Sequence, residues 1–403
     1  MITPLVLAYY YSIEGSSTGQ ILRRFFPNLP QDRFSSFILS VKSKEDYNTN
    51  NCHIIGVQES RSAILAEKVL RNLGMNDLMM TPDYYRYSWG IKALEKSRKF
   101  LKERSFDYIH TISFPSSTHL LGYRLKTEFG IPWVAQFYDP WHNNPFRPIR
   151  CSCFQKLDAR YESFVAKFAD VIILPCDELV SDWLERYGSA IMNKVIQLPF
   201  IVDDSISIPY VRKDPNKLVI SLIGSSNSRR TSISFYQALH QLLVKTPSIG
   251  EKLQVYQVGH IAKADNDMIE GLGLGNIIVR TGHLEEKACA RYFEITDLFL
   301  AIDADIEKNY FFPSKLLQYY NYQKPILGLV TKNSVLSREL KQSGHTTIPV
   351  DDVEAIKQFL IRALDNYPSL CSFDVDYRKN FFPTVVLNKY IKCIEELLSK
   401  ENV

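Results

Sequence analysis

Short apolar runs alternate with longer helical segments along most of this 403-residue chain. The run Val171 to Leu174 is typical of a buried strand, and the segment Ser117 to Phe129 is typical of a helix. Such alternation favours parallel sheets, because two neighbouring parallel strands need a long crossover connection, usually a helix. The sequence therefore predicts an α/β protein of doubly wound type, and its length is sufficient for two domains.

The same pattern suggests where the domains begin and end. Residues 1–200 are expected to form a first doubly wound domain, 201–217 a linker, and 218–378 a second doubly wound domain. The last segment, 379–403, has apolar residues at helical spacing and predicts a terminal helix; these residues are Val386, Tyr390, Ile394 and Leu397.

Composition narrows the class of protein. A hydrophobic content of 45% with 23% charged residues is typical of a soluble globular protein. Seven scattered cysteines favour a reducing compartment, and Cys151-Ser152-Cys153 lacks the partner spacing of a zinc site. No apolar run reaches the roughly 20 residues that cross a bilayer, and Met1 to Ala8 is expected to be the first strand rather than a signal peptide. We therefore expect a cytoplasmic protein, and the net charge of +4 does not indicate nucleic-acid binding.

The stretch from Asp297 to Val330 predicts a strand, a loop, a helix and a second strand. Leu298 to Ile302 is the first apolar run, Pro313 stands where a helix can begin, and Pro325 to Val330 is the next run. A loop that enters a helix at the carboxyl end of a parallel strand presents free N–H groups and the helix dipole to an anion. Lys315 adds a positive charge there, so the stretch predicts a phosphate-binding site.

Two further loops follow predicted strands in the same way. After Leu218 to Gly224 comes the loop Ser225 to Arg230, which contains two adjacent arginines. After the first strand comes a loop with Gly15 and Gly19, which let the backbone approach a ligand closely, and a helix from about Gln20 to Phe26 that Ser17 or Thr18 is expected to cap. A plain turn is the alternative for the glycine loop.

These residues resemble a known family. Pro313 to Tyr319, followed by Lys324 to Leu327, resembles the donor-binding motif of the large retaining family of GT-B glycosyltransferases, usually P-S/G-K-L-x-E-Y and then G-K-P-I. Gln318 stands in place of the family's glutamate, Tyr310 in place of a second one, and Gln323 in place of a glycine. A glutamine offers a single acceptor oxygen to a ribose, where a glutamate accepts from both hydroxyls.

The resemblance implies specific roles in the second half of the chain. The loop after Gly224 resembles the family's V-G-x-x-x-x-K/R loop, whose basic residue faces the donor diphosphate, and we assign this role to Arg229 in preference to Arg230, with Lys315 as the second cation. A solvated pair of arginines is the alternative. The remaining donor-binding residues that the resemblance implies are Gly15, Gly19, Gly224, Ser225, Pro313, Ser314, Leu316 and Gln318.

Two catalytic candidates lie in the first half. Phe106 to Ser117 resembles the family's strand-end histidine motif, which makes His110 a candidate for contacting donor-sugar hydroxyls; a buried histidine with a fixed tautomer is the alternative. Gly130 to Trp141 resembles the family's G-I-P-W-x-x-D-F-R-D-P-W segment and makes Asp139 a candidate for accepting from an acceptor hydroxyl, with a capping role as the alternative.

The helix predicted from Trp89 to Arg104 is rich in lysine and arginine and follows three tyrosines, Tyr84, Tyr85 and Tyr87. A basic helix with flanking aromatic residues can lie on an anionic membrane. Relatives that modify lipid-linked acceptors use a helix in this region in that way. A solvated helix face is the alternative.

Taken as a whole, the resemblance implies two Rossmann-like domains that face a central cleft, with the terminal helix packed back on the first domain. It implies a hexosyltransferase-like enzyme of polysaccharide biosynthesis. Such an enzyme transfers the sugar of a nucleotide-diphosphate sugar to a glycan or lipid-linked glycan. The resemblance also implies that the anomeric configuration is retained, that the reaction uses no metal or other cofactor, and that the protein has no nucleic-acid partner. A non-catalytic nucleotide-binding scaffold and a nucleotide-sugar epimerase of the same fold are the alternatives.

Overall fold

The chain folds as two compact units. The first contains Met1–Ile201 together with Pro383–Val403, and the second contains Val202–Phe382. This computed structural model describes residues 1–400 except 42–45, 76, 78–80, 82–83, 143, 148, 150, 207, 209–213, 215 and 228. Much of the linker predicted at 201–217 therefore lies outside the described residues.

The first unit is built on one sheet. Within the described residues, eight strands lie in the order β3-β4-β2-β1-β5-β6-β7-β8, and all neighbours are parallel except the pair β3 and β4. The strands are β1 Pro4–Leu7, β2 Ser36–Val41, β3 Tyr47–Thr49, β4 Cys52–Val57, β5 Tyr108–Ile112, β6 Trp133–Gln136, β7 Val171–Leu174 and β8 Val195–Gln197.

The helices of the first unit connect these strands. They are α1 Ser17–Phe25, α2 Arg61–Asn72, α3 Tyr84–Glu103, α4 Ser117–Phe129, α5 Ser152–Phe168, α6 Asp177–Tyr187 and the terminal helix α14 Pro383–Ser399, with short 3-10 turns at Phe26–Asn28 and Ser189–Ile191. The central strands β1, β5, β6 and β7 have only buried residues. Full burial is expected for a parallel sheet with helices on both faces.

The terminal helix α14 packs on the first unit through its apolar face. Val386, Tyr390 and Ile394 are buried, as their helical spacing predicts. The Tyr390 hydroxyl lies 2.7 Å from the Tyr108 hydroxyl, so the end of the chain is tied to β5 by polar as well as apolar contacts.

The second unit has a sheet of its own. In the part of the chain that the structure describes, six parallel strands lie in the order β11-β10-β9-β12-β13-β14. They are β9 Leu218–Ile223, β10 Leu253–Val258, β11 Ile278–Gly282, β12 Leu298–Ile302, β13 Ile326–Val330 and β14 Thr346–Pro349.

The helices of the second unit alternate with its strands. They are α7 Ile233–Lys245, α8 Ile249–Lys252, α9 Lys263–Gly271, α10 Glu286–Ile295, α11 Ser314–Asn321, α12 Val335–Gln342 and α13 Val353–Asp365, with 3-10 turns at Tyr367–Leu370 and Tyr377–Phe381. Leu239 of α7 and Leu360 of α13 are fully buried in one apolar cluster with Leu300 of β12. The chain order around β9 and β12 reverses the direction in which strands are added. This topological switch point is where doubly wound sheets bind ligands.

Candidate functional site

A pocket of the second unit lies at this switch point. It lies at the carboxyl ends of β9 and β12, the edge at which doubly wound sheets bind ligands. Its walls come from both strands, from the loop after β9, from the first turns of α11 and from α12. The lining residues are Leu222, Ile223, Gly224, Ser225, Ser226, Arg230, Ser232, Leu300, Ala301, Ile302, Pro313, Lys315, Leu316, Tyr319 and Leu336.

Gly224 ends β9 at a close approach between two chain segments. Its φ of 154° is rare for residues with a side chain, and its N–H donates to the Val258 carbonyl at 2.8 Å. A Cβ on the neighbouring Gly259 would lie 2.7 Å from the Gly224 carbonyl oxygen, so the two turns can lie this close only with a glycine at position 259. Ser225 is exposed on the pocket wall, whereas the buried Ser226 hydroxyl accepts from the Ala262 N–H at 2.7 Å and fixes the loop.

The two arginines of this loop have different environments. The Asn227 side-chain oxygen accepts from the backbone N–H groups of both Arg229 and Arg230 at 3.0 Å, which closes a tight turn. The turn leaves the Arg229 side chain exposed and outside the pocket lining, while Arg230 is half-buried and lines the pocket. The geometry therefore favours Arg230, and not the preferred Arg229, as the cation that faces a ligand.

Helix α11 begins at the pocket. Pro313 is its N-cap residue and lies just before the helix, and the Leu316 N–H donates to the Pro313 carbonyl at 2.8 Å. Lys315 lines the pocket, and its Nζ donates to Oε1 of Gln318 at 3.1 Å. Gln318 lies one helical turn beyond Lys315 and outside the pocket lining. Its side-chain oxygen therefore holds the Lys315 side chain in position. The first turn of α11 and the Lys315 ammonium together give this wall a positive potential.

Tyr319 fixes α11 against the sheet. Its hydroxyl accepts from the Ile223 N–H at 3.1 Å, and its ring is stacked on Phe299 with centroids 4.2 Å apart. Burial raises the pKa of Tyr319 above its ordinary value. The motif contains this tyrosine but does not indicate its role, which is to hold the pocket wall in place.

Lys324 caps a neighbouring helix and lies outside the pocket lining. Its buried Nζ donates to the carbonyls of Phe293 and Glu294 at 2.5 and 2.7 Å, which are at the C-terminus of α10. Lysine is well suited to this position, because its charge also complements the helix dipole. The preceding Gln323, in the place of the family's glycine, has a φ of 48° in the left-handed region.

Asp303 is a buried carboxylate beside the pocket that the sequence analysis did not select. It follows β12 and accepts from Nδ2 of Asn309 and from the Thr331 N–H, both at 3.0 Å, and from the Ser334 hydroxyl. Burial raises its pKa to about 6, although the bonds from Ser334 and Thr331 and the charge of Arg230 lower it. The sequence did contain a signal for this residue, because Asp303 directly follows an apolar strand, where site residues of doubly wound sheets lie. Asp303 ties three segments together and is the counter-charge of Arg230.

His110 lies in the interior of the first unit. It is at the centre of β5 with no exposed surface, and its Nε2 and Nδ1 lie 3.0 Å from the Gln136 amide oxygen and the Tyr390 hydroxyl, respectively. Burial lowers its pKa to about 3. Both ring nitrogens have partners within the unit, so the structure favours the buried, fixed histidine over a group that contacts a sugar.

Asp139 lies beyond the end of β6 and is half-buried. Side-chain contacts hold the segment that follows it in place. The Trp141 indole N–H donates to Asp158 at 2.8 Å, and Arg147 pairs with the same carboxylate at 3.3 Å. Asp139 itself keeps a partly exposed side chain at the carboxyl end of a central strand, the edge where such sheets bind ligands.

The glycine loop of the first unit is held by its own contacts. Ser16, and not Ser17 or Thr18, caps α1 by accepting from the Gly19 N–H at 3.2 Å, so the helix begins earlier than predicted. A Cβ on Gly19 would lie 2.6 Å from the Tyr10 carbonyl oxygen, which explains this glycine by packing alone. Gly15 has a φ of 74° in the turn before the helix.

Helix α3, which contains the predicted basic segment, has most of its cations paired. Lys92 lies 3.0 Å from Glu95, Arg98 lies 2.7 Å from Glu128, and Lys96 donates to the Gly56 carbonyl. Trp89 is fully buried, and the side chains of Tyr84, Tyr85 and Tyr87 lie outside the described part of the chain. Among the described residues, no helix is both long and apolar enough to span a membrane.

Comparisons with known proteins agree with this architecture. Residues 53–203 match the model of Glycosyltransferase Family 4. A search of curated proteins found no match to the chain. Among solved structures, sucrose-phosphate synthase from Thermosynechococcus elongatus has a TM-score of 0.72 at 12% identity, over 99% of this chain and 100% of that one.

Two other solved structures are similar over nearly the full length. Alr3699/HepE from Anabaena, in complex with UDP, has a TM-score of 0.66 at 11% identity, over 98% of this chain and 100% of that one. WaaG, a glycosyltransferase involved in lipopolysaccharide biosynthesis, has a TM-score of 0.65 at 15% identity, over 98% of this chain and 99% of that one. The two parallel-sheet units and these likenesses show that the chain has the GT-B fold, and its residues 53–203 are similar to Glycosyltransferase Family 4.

Proposed function

We propose that the protein transfers a sugar from a nucleoside diphosphate sugar to a hydroxyl of a glycan or lipid-linked glycan. The observation that carries this proposal is the pocket at the switch point of the second unit, where Arg230, Lys315 and the N-terminus of α11 converge. The resemblance of the Pro313 to Tyr319 motif and the UDP complex of the similar HepE protein support a nucleoside diphosphate as the ligand.

The proposed chemistry depends on the leaving group. Breaking the bond between sugar and diphosphate leaves negative charge on the phosphate oxygens. Two fixed cations and the backbone N–H groups of a helix N-terminus can stabilise that charge without a metal ion, and such preorganised groups usually provide the largest catalytic contribution. Retention of anomeric configuration and a role in polysaccharide synthesis belong to this proposal through the family resemblance.

Lys315→Ala tests the site. Loss of one charge-assisted bond should weaken UDP binding by about 10- to 100-fold, with turnover reduced on the order of a hundredfold. Isothermal titration calorimetry with UDP measures the first effect. Lys332→Ala removes an equal charge from an exposed position outside the pocket lining and should leave the affinity within about twofold. Equal affinities of both variants and the unmodified protein would contradict the proposed site.

The alternatives are separated by a product assay on the unmodified protein with UDP-sugars. Transfer to an added glycan or lipid-linked acceptor supports the proposal. Binding of the donor without any turnover supports a scaffold, and interconversion of the free donor supports an epimerase. In the same assay, added chelator should not change the rate if the transfer uses no metal ion.

We also propose that the protein contacts a membrane through α2, which lies beside the basic helix α3. Along one side of α2 and just after it, large apolar side chains are exposed: Leu65 by 63%, Val69 by 50% and Leu73 by 67%. Arg61, Lys68 and Arg71 lie on the same helix. An exposed apolar stripe with flanking cations suits the interface of an anionic bilayer.

Vesicle co-sedimentation tests this contact. Leu65→Glu should strongly reduce binding to vesicles that contain anionic lipid, because it places a charge in the apolar stripe. Val244→Glu is the matched control, since Val244 is 69% exposed on α7 of the second unit. Equal binding of the two variants would exclude the α2 surface.

A further inference from the structure

A pair of thiols lies at the start of α5, in the first unit and apart from the donor pocket. Cys151 is the N-cap residue, with φ and ψ of −76° and 123°, and Cys153 is the second residue of the helix. Residues two apart within a helix point to different sides, but the extended conformation of Cys151 directs its side chain over the helix start. The two Sγ atoms consequently lie 2.8 Å apart, and both residues are exposed.

The surroundings of the pair favour a thiolate on Cys151. The Cys153 thiol, followed by the backbone N–H groups of Cys153 and Phe154, lowers the pKa of Cys151, whereas the nearby Asp77 raises it. The same sulfur contact raises the pKa of Cys153. Cysteine at the N-terminus of a helix is a common arrangement for reactive thiols, because the thiolate accepts hydrogen bonds from the free N–H groups there and interacts favourably with the helix dipole.

The other cysteines provide a contrast within the same chain. Cys52 and Cys176 are buried, and burial raises the pKa of Cys52 to about 12. Burial likewise raises the pKa of Cys393 to about 11. Cys371 is exposed but lies outside any helix, just beyond the turn Tyr367–Leu370. Among the described residues, no other two cysteines have a sulfur contact like that of Cys151 and Cys153.

We propose that Cys151 and Cys153 form a reversible dithiol–disulfide pair that exchanges with low-molecular-weight disulfides such as oxidised glutathione. The Cys151 thiolate attacks one glutathione sulfur, the bond between the two glutathione sulfurs breaks, and the departing thiolate takes up a proton. Cys153 then loses its proton and attacks Cys151 Sγ, which releases the second glutathione thiol. The protein dithiol loses two electrons, and the small disulfide gains them as it becomes two thiols.

The experiment treats the full chain with oxidised glutathione, blocks the remaining thiols with N-ethylmaleimide and identifies the products by peptide mass spectrometry. The unmodified protein should form an intramolecular Cys151–Cys153 disulfide that dithiothreitol reverses. Cys153→Ser should instead accumulate a glutathione adduct on Cys151, because no second thiol remains to displace it. Cys151→Ser should leave Cys153 modified at least about tenfold more slowly.

Cys371 is the internal reference for exposure, because its modification is measured in the same digest. At neutral pH, Cys151 should react at least about tenfold faster than Cys371 if helix position and sulfur contact activate it. Equal rates at the two residues would overturn the proposal. So would a Cys153→Ser protein without an adduct, or an unmodified protein that carries glutathione on both cysteines and forms no disulfide.

Discussion

At the scale of single residues, the site depends on which of several similar side chains the backbone directs into the pocket. Arg229 and Arg230 are indistinguishable by residue type and differ by one position. The Asn227 turn places Arg230 in the pocket lining, where Asp303 lies close enough for the charge of Arg230 to lower its pKa. This turn requires side-chain hydrogen bonds that no residue pattern reports, which explains why the sequence analysis preferred the other arginine.

His110 shows the same limit over a longer distance. Its motif was recognisable, but its Nδ1 partner Tyr390 lies 280 residues further along the chain. Only the return of α14 to the first unit brings these two residues together. By contrast, Pro313 and Lys315 lie where the sequence predicted them, at the start of a helix that borders the pocket, because helix capping and strand-end position are local properties.

The two arginines make a matched test at this scale. Arg230→Ala should weaken UDP binding by about 10- to 100-fold, since a half-buried charge-assisted contact is lost. Arg229→Ala should change the affinity by less than about threefold, because its side chain is exposed to solvent. Calorimetric titration of both variants decides between them. A larger loss of UDP affinity in Arg229→Ala than in Arg230→Ala would show that Arg229, and not Arg230, faces the ligand.

At the scale of elements, the sequence predicted the buried strands and long helices well, and the short or exposed ones poorly. The helix Ser117–Phe129 and the strand Val171–Leu174 have the predicted bounds. The strand Tyr47–Thr49 was not predicted, because it is short, exposed at each residue and antiparallel at the sheet edge, and therefore has no apolar pattern. Helix α1 begins earlier than predicted, since the capping bond that the Gly19 N–H donates to Ser16 is invisible in hydrophobic periodicity.

Gln323, directly after α11, provides a test of element energetics. Its φ of 48° is costly for a residue with a Cβ, by about 1 kcal/mol, and glycine removes that cost. Gln323→Gly should therefore raise the free energy of unfolding by up to about 1 kcal/mol, measured as a higher thermal midpoint. Gln358→Gly, in the interior of α13, should lower it by a similar amount, because glycine destabilises a helix interior. A lower midpoint for Gln323→Gly would show that the side chain contributes more than the strain costs.

At the scale of the whole molecule, the alternation of strands and helices predicted two doubly wound sheets, and both are present. The order of strands was less accessible from sequence, because neighbours in a parallel sheet are set by crossovers rather than by local pattern. Once β9 and β12 are neighbours, the loops at Gly224 and Pro313 necessarily meet at one edge. Two motifs more than 80 residues apart thereby form one pocket.

Both units contain buried histidines that should make the molecule sensitive to acid. Burial lowers the pKa of His110, His119 and His345 to about 3, against 6.5 for an ordinary histidine. Between these values the unfolded chain binds more protons than the folded one, so stability is complete above about pH 6.5 and falls as the pH decreases toward 3.

This sensitivity can be measured on one residue. The thermal midpoint should decrease between pH 7.5 and pH 5, and the decrease should be smaller in His119→Asn, whose amide oxygen can replace Nδ1 in its 2.8 Å bond with the Thr111 hydroxyl. Each histidine that remains neutral in the fold contributes about 1.4 kcal/mol per pH unit in this range. An identical decrease in the variant would show that His119 is not a neutral buried group.

The central claim is that the second unit binds the diphosphate of a nucleotide sugar between two fixed cations and a helix N-terminus. A crystal structure of the protein with bound UDP tests this most directly. The account predicts diphosphate oxygens within hydrogen-bonding distance of Lys315 Nζ, of the Arg230 guanidinium and of backbone N–H groups in the first turn of α11. A diphosphate bound elsewhere, or held without contact to either cation, would contradict it.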